Sequence, residues 1–255
     1  MRLRSWIMAG IAACLSLHAG VTLAVVIIDD FSSGGLAPAI VGITGLNDPN
    51  TWYDAFQSGG MVGGQREVVL ETVAVNSSTA TSEIAVQNGL LDVDGGFDVL
   101  HRLNLRYGKS PGGNAPLGLD LSGADRIRIE FDHASADLNL HVTLFNGNTP
   151  RWSISGGTLA STGAFYADLV FADGVLGAAP GVTDFDFTDI SYLFVQTQSN
   201  SQHGADDFAI SRILALRAVP EPATVLLLVA AGGVAACRRR RRGSGLYSRA
   251  HLDYR

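Results

Sequence analysis

The side chains in this sequence best placed to do chemistry are carboxylates in adjacent pairs: Asp29-Asp30 near one end of the central region and Asp206-Asp207 near the other. Calcium takes roughly six to eight oxygen ligands, drawn from carboxylates and backbone carbonyls. If the two ends of the region meet, Asp29, Asp30, Asp206 and Asp207 form a candidate structural calcium site. Neighbours on a strand face opposite ways, so one member of each pair would turn to such a site. The competing reading makes all four solvated charges that keep strand edges from pairing with other chains. Asp92-Val93-Asp94-Gly95 begins like an EF-hand loop but lacks the later ligands and the closing Glu.

Aromatic side chains supply a second chemistry, stacking on sugar rings. Trp52, in the stretch Asn47–Phe56 read here as a loop, is the candidate sugar-binding residue. Tyr53, Tyr166 and Tyr192 are further aromatics of this kind, whereas Trp152 alternates toward a core in Arg151-Trp152-Ser153-Ile154. Catalytic patterns are sparse. Glu67, Glu71, Glu83 and Glu130 would form a glycosidase pair only at a fixed separation, which sequence does not give. His101, His133, His141 and His203 have no close metal-ligand spacing. The run Gly59 to Gly64 lacks the Lys-Ser/Thr of a phosphate loop. The two cysteines, Cys14 and Cys237, lie in the end segments. The expectation is a protein that is not an enzyme.

Charge separates the ends from the middle. Residues 25–219 hold 22 acidic and 9 basic side chains, a net charge of −13, whereas residues 220–255 carry seven arginines. Such an acidic region repels nucleic acid, which is set aside as a partner. Residues 1–24 read as a signal peptide: Arg2 and Arg4, an apolar run, and small residues before a cleavage point at Ala24, with Ala19 as second choice. Ile11-Ala12-Ala13-Cys14 also fits a lipobox, and a retained anchor is a third alternative. At the other end Pro220-Glu221-Pro222 precedes a 15-residue apolar stretch, Ala223 to Cys237, and then Arg238, Arg239, Arg240, Arg241 and Arg242. At about 1.5 Å per residue that stretch spans about 22 Å, short of a hydrocarbon core of about 30 Å. It is a short transmembrane helix fit for a transient membrane anchor, with the arginines held on the cytoplasmic side. The prolines stop the helix and leave an extended segment that a processing enzyme can read.

These three parts in this order resemble the PEP-CTERM sorting signal of Gram-negative bacteria. The resemblance implies that residues 220–242 are recognised by exosortase, a membrane-embedded transpeptidase-like enzyme, in hosts that make exopolysaccharide. Residues 243–255 then form a disordered tail that such signals usually lack.

The region that carries the candidate residues must position them on strands. Arg126 to Phe131 and Leu138 to Leu144 alternate polar and apolar residues and read as a hairpin, with Asp132–Asp137 as its loop. Further alternating segments are 25–31, 66–75, 82–87, 99–107, 151–155, 165–171, 191–197 and 208–216, separated by glycine-rich turns such as Asp94-Gly95-Gly96. About ten strands with one polar face fit an all-β fold, an antiparallel two-sheet β-sandwich spanning 25–219. Ile28-Asp29-Asp30-Phe31, Leu119 to Asp125 and Asp206-Asp207-Phe208 together resemble galactose-binding-like jelly-roll modules, many of which bind carbohydrate. The expected protein is exported by way of signal peptidase, held in the inner membrane as a precursor, sorted by exosortase, and carried to the cell surface or matrix. Its sandwich binds extracellular polysaccharide or, as alternatives, serves adhesion without sugar specificity or processes polysaccharide.

Overall fold

The alternating segments form strands whose apolar positions turn to one interior. The computed structural model describes residues 25–42, 52–75, 81–96, 99–147, 149–177, 183–199 and 206–217. The expected signal peptide with Ala24, the apolar helix, Pro220, Glu221, Pro222, Arg238–Arg242 and the tail lie outside the described residues. The strands are β1 (Val26–Asp29), β2 (Leu36–Gly42), β3 (Trp52–Ser58), β4 (Gln65–Val75), β5 (Thr81–Gln87), β6 (Leu90–Asp94), β7 (Val99–Tyr107), β8 (Lys109–Ser110), β9 (Gly113–Asn114), β10 (Arg126–Ala134), β11 (Leu138–Phe145), β12 (Arg151–Thr158), β13 (Phe165–Val170), β14 (Val175–Gly177), β15 (Tyr192–Ser199) and β16 (Phe208–Leu216).

Two seven-stranded sheets make an antiparallel, jelly-roll-like sandwich. The first runs β13-β10-β16-β6-β5-β2, with β1 also beside β16, and the second runs β14-β12-β11-β15-β7-β4-β3. Ile127, Ile129, Phe131, Phe208 and Ile210 from the first sheet meet Leu70, Leu103, Leu105, Val142 and Leu193 from the second, all buried in one core. Their period-two spacing leaves the intervening residues on the outer faces.

One buried ion pair ties the sheets together. Arg66 on β4 is fully buried, and its Nη1 donates to Asp29 Oδ2 on β1 at 2.6 Å. Tyr107 Oη on β7 donates to the same oxygen at 2.9 Å, while Asp29 Oδ1 accepts the Phe31 backbone N–H. Arg66 also donates to Gln57 and to the carbonyls of Ser33 and Gly34, and it lies 4.7 Å from the Phe31 ring centroid. A buried charge is tolerable when it is paired and its remaining donors are bonded, and both conditions hold here.

Two expectations are corrected. β10 and β11 are strands, but they are not a hairpin: β10 belongs to the first sheet and β11 to the second, so residues 135–137 carry the chain across the sandwich. Ala134 and Leu138 are both buried at the two ends of that crossing. Alternation reports which face is apolar, and strands on opposite sides of one core alternate alike. Residues 52–56 are likewise not a loop; they open the edge strand β3.

Candidate binding face

The outer face of the second sheet brings polar and aromatic side chains into rows. Across β3, β4, β7, β15, β11 and β12 the register aligns Asp54, Val69, Asn104, Gln196, His141 and Ser155. A row on one side aligns Glu71, Arg102, Gln198 and Asn139, and a row on the other aligns Glu67, Arg106, Phe194, Thr143 and Ser153. Beyond these, Tyr192, Phe145 and Arg151 stand side by side. Apolar neighbours at the alternate positions face the core, so these side chains have only the outer face open to them.

Hydrogen bonds run along the rows and, from His141 to Thr143, between two of them. Arg102 donates to Gln198 Oε1 at 3.2 Å and to Glu71 Oε2 at 3.4 Å. Arg106 Nη1 donates to Glu67 Oε2 at 3.1 Å. The His141 ring bonds Ser155 Oγ through Nδ1 at 2.8 Å and Thr143 Oγ1 through Nε2 at 2.9 Å. Burial, and then the nearby charge of Arg151, hold the His141 pKa below its ordinary value, so the ring is neutral near pH 7. Asn104 is buried, and its Oδ1 has no hydrogen-bond partner.

Two depressions cut this face. A groove of about 270 Å³ is lined by Asn139, His141, Ser155, Gln196 and Gln198. A cleft of about 580 Å³ lies at the end of the face, between Arg106, Lys109, Asn114, Phe145, Tyr192 and Phe194. In it the Phe145 and Tyr192 rings are tilted, with centroids 5.1 Å apart, and Lys109 Nζ lies 5.4 Å from the Tyr192 centroid. Burial pushes the Tyr192 hydroxyl up to about 12, so it stays protonated and able to donate.

The remaining sequence candidates are dispersed. Trp52 opens β3 opposite Glu71, at the edge of this same sheet. Tyr53 and Trp152 pack against the core, Trp152 beside Phe185 and Phe187. Tyr166 is exposed on the first sheet under Arg128. Glu67 and Glu71 share a face but stand four residues apart, about 13 Å along a strand, wider than the separation of roughly 5–9.5 Å in glycosidase pairs. The four aspartates of the proposed calcium site do not converge. Asp29 pairs with Ile213 in the register, six residues and about 20 Å along β16 from Asp207. Asp29 is taken up by Arg66 and Tyr107, and Asp30 accepts from Ser32 backbone N–H and hydroxyl, which lower its pKa. Asp207 Oδ1 accepts the Gly95 N–H at 3.0 Å, and burial raises the Asp206 and Asp207 carboxyls. The reason is the shortness of β1: it covers only the C-terminal half of β16, and β6 takes the other half. Among the described residues, no group of three or more His, Cys, Asp or Glu is arranged to hold a metal ion.

The last strand ends at Leu216, and the residues that follow decide where the molecule goes. Residues 218–242 match the PEP-CTERM protein-sorting motif. The chain carries a PEP-CTERM sorting motif. The matched span contains Pro220-Glu221-Pro222 and the arginines 238–242, and it marks an exported, exosortase-sorted surface protein. No curated protein matches the chain. Among solved structures it is similar to a family 11 carbohydrate-binding module of the cellulosomal cellulase Lic26A-Cel5E of Clostridium thermocellum, at 13% identity over 78% of this chain and 98% of that one, TM-score 0.40. It is also similar to the agarase AgWH50C, at 10% identity over 78% of this chain and 25% of that one, TM-score 0.40. A third likeness is to TmCBM61 in complex with β-1,4-galactotriose, at 9% identity over 68% and 92%, TM-score 0.27.

Proposed function

We propose that the sandwich of this PEP-CTERM protein is a non-catalytic module that holds an extracellular polysaccharide along the outer face of its second sheet. The observation that supports this reading is the six-strand row through Asn104, Gln196, His141 and Ser155, running beside an aromatic cleft. A glycan offers hydroxyls to bond and apolar ring faces to stack. The face supplies amide, imidazole and hydroxyl groups for the first and the Tyr192, Phe145 and Phe194 rings for the second. The Asn104 oxygen, buried without a partner, would accept one sugar hydroxyl.

Affinity electrophoresis of the exported protein through gels containing the host's exopolysaccharide tests the reading. Retardation that His141→Ala and Gln196→Ala relieve supports it. Unchanged mobility in every polysaccharide gel, with cell adhesion intact, would favour a surface adhesion protein without sugar specificity.

Processing belongs to the same reading. The apolar run after Pro222 anchors the precursor in the inner membrane until exosortase removes it. Mass spectrometry of surface protein from the native host should find no peptide from 225–255; an intact tail there would refute the processing step.

A further inference from the structure

The described residues of the acidic region include nine basic side chains, and six of them are ion-paired: Arg66, Arg102, Arg106, Arg126, Arg128 and Arg212. Of the other three, Arg217 follows the last strand, whereas Lys109 and Arg151 stand at the two sides of the aromatic pair Tyr192–Phe145. Lys109 Nζ donates to the neutral Asn114 Oδ1 at 2.6 Å and has no carboxylate partner among the described residues. Arg106, which lines the same cleft, gives a single N–H to Glu67 and is about a third exposed. In a region with 22 acidic residues, two of the three described cations without an ion pair, Lys109 and Arg151, flank the stacking pair at this corner of the face.

We propose that this cleft is a subsite for a carboxylate-bearing sugar residue of the polymer. The sugar ring lies against Tyr192 and Phe145, its carboxylate accepts from Lys109 Nζ and the remaining guanidinium N–H groups of Arg106, and Arg151 meets the next acidic residue along the chain. The inference rests on the reading of this face as a glycan-binding surface. A net charge of −13 over 25–219 repels a polyanion at long range. At about 0.15 M salt that field is screened within about 8 Å, so contact pairing in the cleft prevails. Charge-assisted bonds are roughly twice as strong as neutral ones, and an unpaired ammonium beside an aromatic face is free to form them.

Lys109 is the only lysine in the 255 residues, which gives a site-resolved test. The exported protein is acylated with an amine-reactive ester alone, with polygalacturonate, and with the same polymer after its carboxyls are reduced to alcohols. Polygalacturonate should slow acylation of Lys109 severalfold while the α-amino group reacts unchanged, and the reduced polymer should not. Lys109→Met should weaken binding to polygalacturonate about tenfold, the loss of one charge-assisted bond. It should leave binding to the reduced polymer unchanged. Equal affinity for both polymers overturns the acidic subsite and spares the glycan face. Preference for the acidic polymer without protection of Lys109 overturns the assignment to this cleft. Failure of both polymers and the host's own to bind overturns the face and the subsite together.

Discussion

The two outer faces of the sandwich carry comparable charged side chains and dispose of them differently. On the first sheet Arg128 grips Asp168 with two bonds, at 2.7 and 2.9 Å, and lies 3.7 Å from the Tyr166 ring centroid. Arg126 joins Asp125 to Asp168, and Arg212 pairs with Glu130 at 3.0 Å. This face is closed on itself and has little left to offer a ligand. On the second sheet each ion pair is held by one bond, the amides and the imidazole stand in rows, and the rows run into a cleft whose lysine has no acid among the described residues. On the reading proposed above, a polar sheet face binds through the donors and acceptors it leaves unspent, not through its charge count.

The largest effect should strike the interior that both faces share. Asp29→Ala leaves Arg66 buried without its carboxylate and should cost about 3–5 kcal/mol, a large part of a typical folding margin. Urea unfolding of the exported variant should show both faces lost in one transition. Next comes His101, buried between the sheets and stacked on Phe208, whose pKa burial lowers to about 4. The folded state keeps it neutral while the unfolded chain takes up a proton below about pH 6.5, so stability falls as pH drops from about 6.5 to 4 and no further from this group. The loss is about 3 kcal/mol, partly offset by the raised carboxyls of Asp206 and Asp207, which favour the folded state as they protonate. Melting curves of His101→Phe across that range should be flatter than those of the parent protein.

Smaller effects should separate the faces. Asp168→Ala breaks the closed network and should cost about 1 kcal/mol without changing retardation in polysaccharide gels. Gln196→Ala should change stability by under about 0.5 kcal/mol while lowering polysaccharide affinity about tenfold. If Asp168→Ala weakens binding as much as Gln196→Ala, the distinction between the faces is wrong.

Legibility in the sequence followed the range of the interaction concerned. The sorting motif is contiguous, so its order of parts was readable residue by residue, and the match over 218–242 agrees with it. β7 and β16 run over the residues expected, because a short apolar-rich segment bounded by polar turns records a strand, although β16 does not alternate strictly. Their partners were not readable: nothing local distinguishes β10 and β11 as strands of different sheets. β6 was missed although a signal was present. Asn88 and Gly89, both at positive φ, form the turn between Gln87 and Leu90, and Asn-Gly is the favoured two-residue hairpin turn. β2 was hidden by Pro38, which an edge strand accommodates. The candidate binding face was the least visible. It exists only once Asn104, Gln196 and His141 fall into register, from three strands far apart in the chain.

The pairing of the first strand with the last also sets a clock. Val26 lies opposite Ala215, and β16 is the shared neighbour of β1, β6 and β10. β1, β6 and β10 therefore each lack one partner until β16, which follows all three in the chain, is in place. Such long-range closure is slow compared with local pairing. The first sheet is completed only when Leu216 arrives, and the sorting motif begins two residues later at 218. The strand that closes the first sheet and the sorting motif are thus adjacent stretches of one chain, and the order of strands makes them so.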